Sequence, residues 1–245
     1  MIVDAGAIGP DHQPGHGHAD MLSFELSVKG CRVVVDSGVG SYQDRRWRAY
    51  SRATAAHSTV EIAGESQVEL WGAFRLGRRT RPRGVEVSRD DHGFRLFGEH
   101  GGYEVLRGHP VHRRRFRFRP GAPEEDGLRG GGTLTVVDEV TVGKAGRGTP
   151  AVARVIFAPG LELEPLAGGG ENLQAGPERW RVAFPEPSDE APAIAVEWHV
   201  EGPRPGEVAV ETVPVFPEFG LVRPASALVL RGELPLQATL TLTWT

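Results

Sequence analysis

A chain of 245 residues, 39% hydrophobic and 24% charged, has the composition of an ordinary globular protein and room for one large β domain or two modest domains. Its single cysteine, Cys31, excludes an intrachain disulfide framework, and no apolar run approaches the roughly 20 residues of a membrane-spanning helix. The net charge of −4 is uneven: residues 1–120 carry 19 basic and 14 acidic side chains, the remainder 9 and 18.

The expected elements follow a period of two. Leu22, Phe24, Leu26 and Val28 alternate with Ser23, Glu25 and Ser27, as on a half-buried strand, and a second strand is expected over Arg32–Asp36. Further strands are expected at Ser58–Ala63, Val85–Ser88, Phe94–Glu99, Val111–Arg119 and Thr133–Val142. The later half continues with Ala153–Phe157, Arg179–Phe184, Ala193–Val200, Glu207–Val215, Ala227–Arg231 and Gln237–Trp244. No segment longer than about ten residues holds a helical period. The 33 glycines and 19 prolines fall mostly between apolar runs. Pro120–Gly132 reads as a long hairpin loop and Gly168–Gly170 as part of another. Short strands separated by turn residues predict an all-β domain over residues 1–245, an antiparallel sandwich of two large packed sheets.

Arginine supplies nearly all the positive charge of the first half, concentrated in Arg45–Arg52, Arg75–Arg83 and Arg113–Arg119. Two readings stand: solvated strand faces, or a surface for carboxylate, sulfate or phosphate polyanions. Phe116 and Phe118 alternate with Arg115, Arg117 and Arg119, which could serve a nucleic acid. A half-buried strand with a solvated arginine face is the favoured reading, and no nucleic-acid partner is expected. Trp47 and Trp71 are candidates to stack on sugar rings, against a plain role in the sheet faces.

The chemistry concentrates in residues 9–63. His16 and His18 flank Gly17, so in extended backbone both rings address one side. If the strands after His18 and before Asp36 pair as a hairpin, their open ends bring His18 and Asp36 together. His57 stands just before a strand of its own. Two imidazoles and a carboxylate suit a tetrahedral zinc with one open position. The competing reading makes His16 and His18 loop residues, Asp36 a turn cap and His57 a donor to a carbonyl.

Three stretches taken together resemble a known family: G-H-G-H-A-D-M-L-S-F-E-L, V-V-V-D-S-G-V-G-S-Y and R-A-Y-S-R-A-T-A-A-H-S-T-V. They look like the C-terminal β-sheet region of heparinase II/III-like polysaccharide lyases, a group with related alginate lyases. G-E-H-G-G-Y from Gly98 and V-H-R-R-R from Val111 are similar to downstream blocks of that family. The resemblance is densest over residues 9–63, continues to 142 and is architectural beyond. It implies a bacterial-type lyase in which a helical toroid precedes the β-sandwich and the cleft lies between them. The reaction it implies is β-elimination in an anionic, uronic-acid-containing or glycosaminoglycan-like polysaccharide. A base takes the C5 proton, an acid protonates the leaving 4-oxygen, and the sugar carboxylate must be neutralised meanwhile.

The resemblance also implies roles. His16 and Tyr50 are expected as catalytic or substrate-facing groups and Arg52 as a substrate-carboxylate partner. His18, Asp36 and His57 are expected as ligands of a mainly structural zinc, with His100 competing for the place of His57. The family's principal acid/base tyrosine lies in the toroid, which this chain lacks, so the chain alone is expected to be inactive. Met1-Ile2-Val3-Asp4 has neither the basic nor the apolar region of a signal peptide, and the motif begins close behind it. The chain is therefore expected to be the C-terminal piece of a longer polypeptide. Periplasmic, secreted and cytoplasmic locations stay open. From other classes, a non-catalytic carbohydrate- or polyanion-binding β module and a structural domain of an exopolysaccharide system remain as alternatives.

Overall fold

The structure, a computed structural model, describes residues 1–122, 131–166, 178–185, 191–201 and 206–245. In chain order the strands are β1 (Ile2–Val3), β2 (Phe24–Val28), β3 (Cys31–Val34), β4 (Val60–Ile62), β5 (Leu70–Trp71), β6 (Arg75–Leu76), β7 (Arg83–Asp90), β8 (Gly93–His100) and β9 (Val111–Pro120). They continue with β10 (Gly132–Thr141), β11 (Pro150–Ile156), β12 (Glu162–Pro165), β13 (Glu178–Ala183), β14 (Ile194–Glu201), β15 (Glu207–Glu218), β16 (Leu221–Glu233) and β17 (Leu236–Trp244). One α-helix, α1 (Arg45–Arg52), interrupts them among the described residues.

One layer is an eight-stranded antiparallel sheet in the order β12-β13-β14-β17-β10-β9-β8-β7. The facing layer is the four-stranded sheet β15-β16-β11-β4. The sheet β1-β2-β3 continues this layer, because Val34 bridges to Phe157 just beyond β11 and Val35 N–H donates to the Ile156 carbonyl. The expected hairpin is present, with Val28 opposite Cys31 and Leu26 opposite Val34. Pro120 lies opposite Gly132, so the pairing that flanks the expected long hairpin loop also forms. Residues 123–130 of that loop, and Gly168–Gly170, lie outside the described residues.

Strand alternation builds the core. Leu134, Val136 and Val140 of β10 and Leu236, Leu240 and Leu242 of β17 point inward, against Val155 of β11 and Leu228 and Leu230 of β16. Burying each such side chain contributes on the order of 1.5–3 kcal/mol before chain entropy is counted. The result is the expected β-sandwich. Among the described residues no helix is long and apolar enough to cross a membrane.

The inner face of the large sheet also carries a polar seam. Arg114 of β9 makes a two-pronged ion pair with Asp138 of β10, Nε to Oδ1 at 2.7 Å and Nη2 to Oδ2 at 2.9 Å. Its remaining nitrogen, Nη1, donates to the carbonyls of Leu22 at 2.8 Å and Ser58 at 2.6 Å. The large sheet therefore grips the opposite layer beside His57 and two residues from Asp20. Leu22 is buried with a φ of 61°, a left-handed conformation that strains a branched residue and persists only where its surroundings hold it.

Candidate functional site

Four segments meet at the open end of the β2–β3 hairpin. The loop before β2 brings His16, His18 and Asp20, and the end of β3 brings Asp36. Helix α1 brings Arg48, Tyr50 and Arg52, and the turn after it brings His57.

The helix forms because Asp44 caps it, its carboxylate accepting from the N–H groups of Arg46 at 2.8 Å and Trp47 at 3.2 Å. Its buried face consists of Arg48, Ser51 and Arg52. Arg48 Nε donates to Ala73 O at 3.0 Å and Nη2 to Gly15 O at 2.7 Å. Arg52 donates to the carbonyls of Gly17 at 3.0 Å, Gly72 at 2.8 Å and Arg75 at 3.3 Å. The two guanidiniums thus staple the H-G-H loop to the segment 72–75. At Gly17 a Cβ would meet the Ile8 side chain at 2.8 Å, which explains a glycine there. Among the described residues neither arginine has a carboxylate partner. Burial, and then the neighbouring Arg48, bring Arg52 down to about 10.

His57 is fully buried, and its Nδ1 holds Asp36 Oδ2 at 2.5 Å while Asp36 Oδ1 accepts the Gly38 N–H at 2.8 Å. Its Nε2 has no hydrogen-bond partner. The Ser51 carbonyl is close enough to favour the charged ring without completing a bond. A ring nitrogen oriented by a carboxylate, with the other left bare, is the usual wiring of a metal-binding imidazole. Single donor atoms of His18, Asp20 and His57 lie within 4.8 Å of one another. Tetrahedral zinc with bonds near 2.1 Å sets its ligands about 3.4 Å apart, so small side-chain movements close the set.

The electrostatics favour that chemistry at His18, whereas the raised Asp20 and His57 must give up protons to a metal. Burial, reinforced by His57, brings His18 down to about 3, which keeps its ring in the neutral, ligating form. Burial raises Asp20 to about 6. Burial alone would lower His57, but the Asp36 carboxylate, aided by Asp20 and the Ser51 carbonyl, raises it, and His57 helps to lower Asp36 in return. Arg48 Nη1 approaches His18 Nε2 to 3.4 Å, long for a hydrogen bond. Among the described residues five buried side-chain polar atoms lack partners. Four of them, Ser37 Oγ, Tyr50 Oη, Ser51 Oγ and His57 Nε2, belong to the segments that meet here.

The expected residues separate into distinct places. His18, Asp36 and His57 converge: Asp36 holds His57 through one oxygen and the Gly38 N–H through the other, and Asp20 joins His18 and His57 with donor atoms within 4.8 Å. His16 is exposed, its ring 5.6 Å from Tyr42. Tyr50 packs half-buried against Phe216, and burial raises its phenol to about 12. Arg52 lies on a cleft of about 920 Å³ with Trp71 and Phe74, but three of its donors are engaged by carbonyls. Trp71 is 56% exposed on that cleft, whereas Trp47 is half-buried against Phe216. His100 sits apart, bonded to His112.

The model of the heparinase II/III-like C-terminal family matches residues 1–245. The chain belongs to that family. No curated protein matches the chain in sequence. Among solved structures, this heparinase II/III-like domain is similar to a heparan sulfate lyase HepC mutant from Pedobacter heparinus, at 14% identity and a TM-score of 0.67, covering 99% of this chain and 32% of that one. A heparinase III with methylated lysines is 15% identical with a TM-score of 0.65, covering 99% and 31%. A further heparinase III is 15% identical with a TM-score of 0.61, covering 96% and 32%. At such identities the likeness is one of fold, and the domain spans about a third of the length of these proteins.

Two residues that the fold of this heparinase II/III-like domain brings to the candidate site are missing from the set expected from sequence, Asp20 and Arg48. The signal for Asp20 is present, because His18 and Asp20 stand in the same i, i+2 relation that pairs His16 with His18. Arg48 has no such signal, since only the fold turns a helical arginine inward.

Proposed function

We propose that this domain supplies one half of the active site of a polysaccharide lyase that cleaves uronic-acid-containing chains by β-elimination. In this reading a zinc ion is held by His18, Asp20 and His57 and oriented through Asp36. The observation that carries the metal is the approach of single donor atoms of His18, Asp20 and His57 to within 4.8 Å of one another, beside a His57 ring held by Asp36. When bound, the ion would order the loops and add positive charge where the sugar carboxylate must be neutralised.

The chain's own residues divide the remaining work. Arg48 and Arg52, buried without counter-ions among the described residues, give the cleft a standing positive field for an anionic sugar. His16, open to solvent, is the group from this chain positioned to meet the substrate. Tyr50, held protonated by its surroundings, fits a proton donor and not a base. A helical toroid, in cis or in trans, would supply the other wall and the remaining acid/base groups.

The test is to incubate the domain with uronate polymers, alone and with a toroid partner, and follow the ultraviolet absorbance of the unsaturated product. Product only in the presence of the toroid is the expected result. No product in either mixture, with binding retained, would leave a polyanion-binding module as the better reading.

A further inference from the structure

The outer face of the eight-stranded sheet carries a second concentration of positive charge. Arg95 of β8 and Arg117 of β9 are directly opposed partners, and Arg119 follows two residues later on the same face. Like charges directly opposite on neighbouring strands destabilise a sheet. Desolvation, followed by the charges of Arg119 and Arg95, holds Arg117 below its ordinary range, with only Asp90 acting the other way. Among the described residues Arg95, Arg117 and Arg119 form no ion pair. Arg115 differs: it reaches Glu139 at 3.3 Å and lies over the Phe97 ring at 5.4 Å.

These arginines line a groove of about 840 Å³. The strand register sets Ser88, Arg95, Arg117 and Thr135 in one row across four strands, hydroxyls outside and guanidiniums between, with Thr133 opposite Arg119 in the next row. At about 4.8 Å per strand the row spans roughly 14 Å. Guanidinium forks match carboxylate and sulfate oxygens in pairs, and flanking hydroxyls suit the hydroxyls of a sugar.

We propose that this outer face is a second binding site, for a sulfated or carboxylated polysaccharide chain, in a different layer from the His18–Asp20–His57 cluster. The aromatic placement favours a sugar polymer over a nucleic acid. Phe116 is buried in the core, Phe118 stacks with Phe94 and Trp244, and Arg115 covers Phe97, so bases would find no open ring to stack on. A polymer held here would be kept at high local concentration around the molecule. The choice of polysaccharide rests on the lyase reading, but the binding itself requires no catalysis.

The test uses the whole chain and measures its Kd for heparan sulfate and for oligouronate at two salt concentrations. The variant is the triple substitution Arg95→Thr, Arg117→Thr, Arg119→Thr, with Thr suited to strands. A control removes the same charge elsewhere, at Arg107, Arg147 and Arg223. Loss of three exposed charge contacts should weaken binding about tenfold and flatten its salt dependence in the groove variant alone. Unchanged binding in that variant, or an equal loss in the control, overturns the proposal. So does duplex DNA binding as tightly as the sugar polymer with the same response to the variant. Because the readout is binding, a chain that yields no unsaturated product with a toroid can still pass, and an active lyase can still fail.

Discussion

His57 and His112 each hold a carboxylate through one ring nitrogen, Asp36 at 2.5 Å and Asp138 at 2.7 Å, yet their second nitrogens meet opposite fates. In the polar seam every position is taken. His112 Nε2 donates to Asp138, His112 Nδ1 accepts from His100 Nε2 at 3.0 Å, and His100 Nδ1 accepts the Gly102 N–H at 3.2 Å. That chain of donors fixes both tautomers and leaves both rings neutral. At the hairpin mouth the sequence of bonds stops one step short, at the bare Nε2 of His57. A closed network specifies packing, and an open one presents a lone ring nitrogen with ligand chemistry around it. The same residue types thus serve architecture in one place and a candidate site in the other.

The sharpest way to break this contrast is to open the closed network. Asp138→Ala leaves Arg114 buried without its counter-ion, a loss of about 3–5 kcal/mol. Melting should fall by roughly 10 °C, followed by calorimetry or circular dichroism. Metal binding should weaken as well, because Arg114 also holds the Leu22 and Ser58 carbonyls beside the site. A melting temperature within a degree or two of wild type would show that the seam is not structural.

Removing a residue of the open cluster should behave differently. Zinc at a hundredfold excess over its Kd should stabilise the wild-type chain by about 2.7 kcal/mol, and a chelator should reverse this. His57→Ala and His18→Ala should abolish the zinc-dependent shift while changing the metal-free melting temperature much less than Asp138→Ala does. If zinc shifts neither wild type nor variant, and no divalent ion copurifies, the metal assignment is wrong.

The next comparison separates the two aspartates. Asp20→Asn removes a proposed ligand and should abolish the zinc shift. Asp36→Asn removes only the group that orients His57, and should weaken zinc about 10- to 100-fold without abolishing it. Titration calorimetry on both variants decides the order. A larger loss at Asp36 than at Asp20 would return Asp36 to the direct role expected from sequence.

Much of the fold and part of the site are legible in the amino-acid sequence, for a physical reason in each case. β9, β10 and β17 alternate cleanly because one face packs on the core, and the hairpin that joins His18 to Asp36 follows from an alternating run and a short, continuous apolar one close behind it. Helix α1 is not legible because its buried positions are Arg48, Ser51 and Arg52, so hydropathy carries no helical period there. β1, β5 and β6 have two residues each, too few to alternate, and β12 is short and has no fully buried residue. The pairing of Asp36 with both His57 and the Gly38 N–H depends on which carboxylate oxygen meets which donor. The Arg114–Asp138 pair depends on the register of β9 against β10. Neither is written in local spacing.

The smallest effect tests whether the seam is as closed as its bonds indicate. Burial lowers His100 and His112, reinforced for His100 by His112 and Arg114, and for His112 only partly opposed by Asp138. A depressed histidine contributes stability that is present above its unfolded pKa near 6.5 and is lost as pH falls below it, because the unfolded chain takes up a proton that the folded ring refuses. Each ring should therefore add a slope of up to about 1.4 kcal/mol per pH unit below 6.5. His100→Gln keeps an amide able to donate to His112 but removes one titrating group. Denaturant unfolding between pH 5 and 6.5, with a chelator present, should show the wild-type chain losing stability more steeply than the variant. His18 and Asp20 titrate alike in both proteins and cancel in the difference. Equal slopes would mean that His100 can take a proton in the folded state, and that the seam is open at that ring.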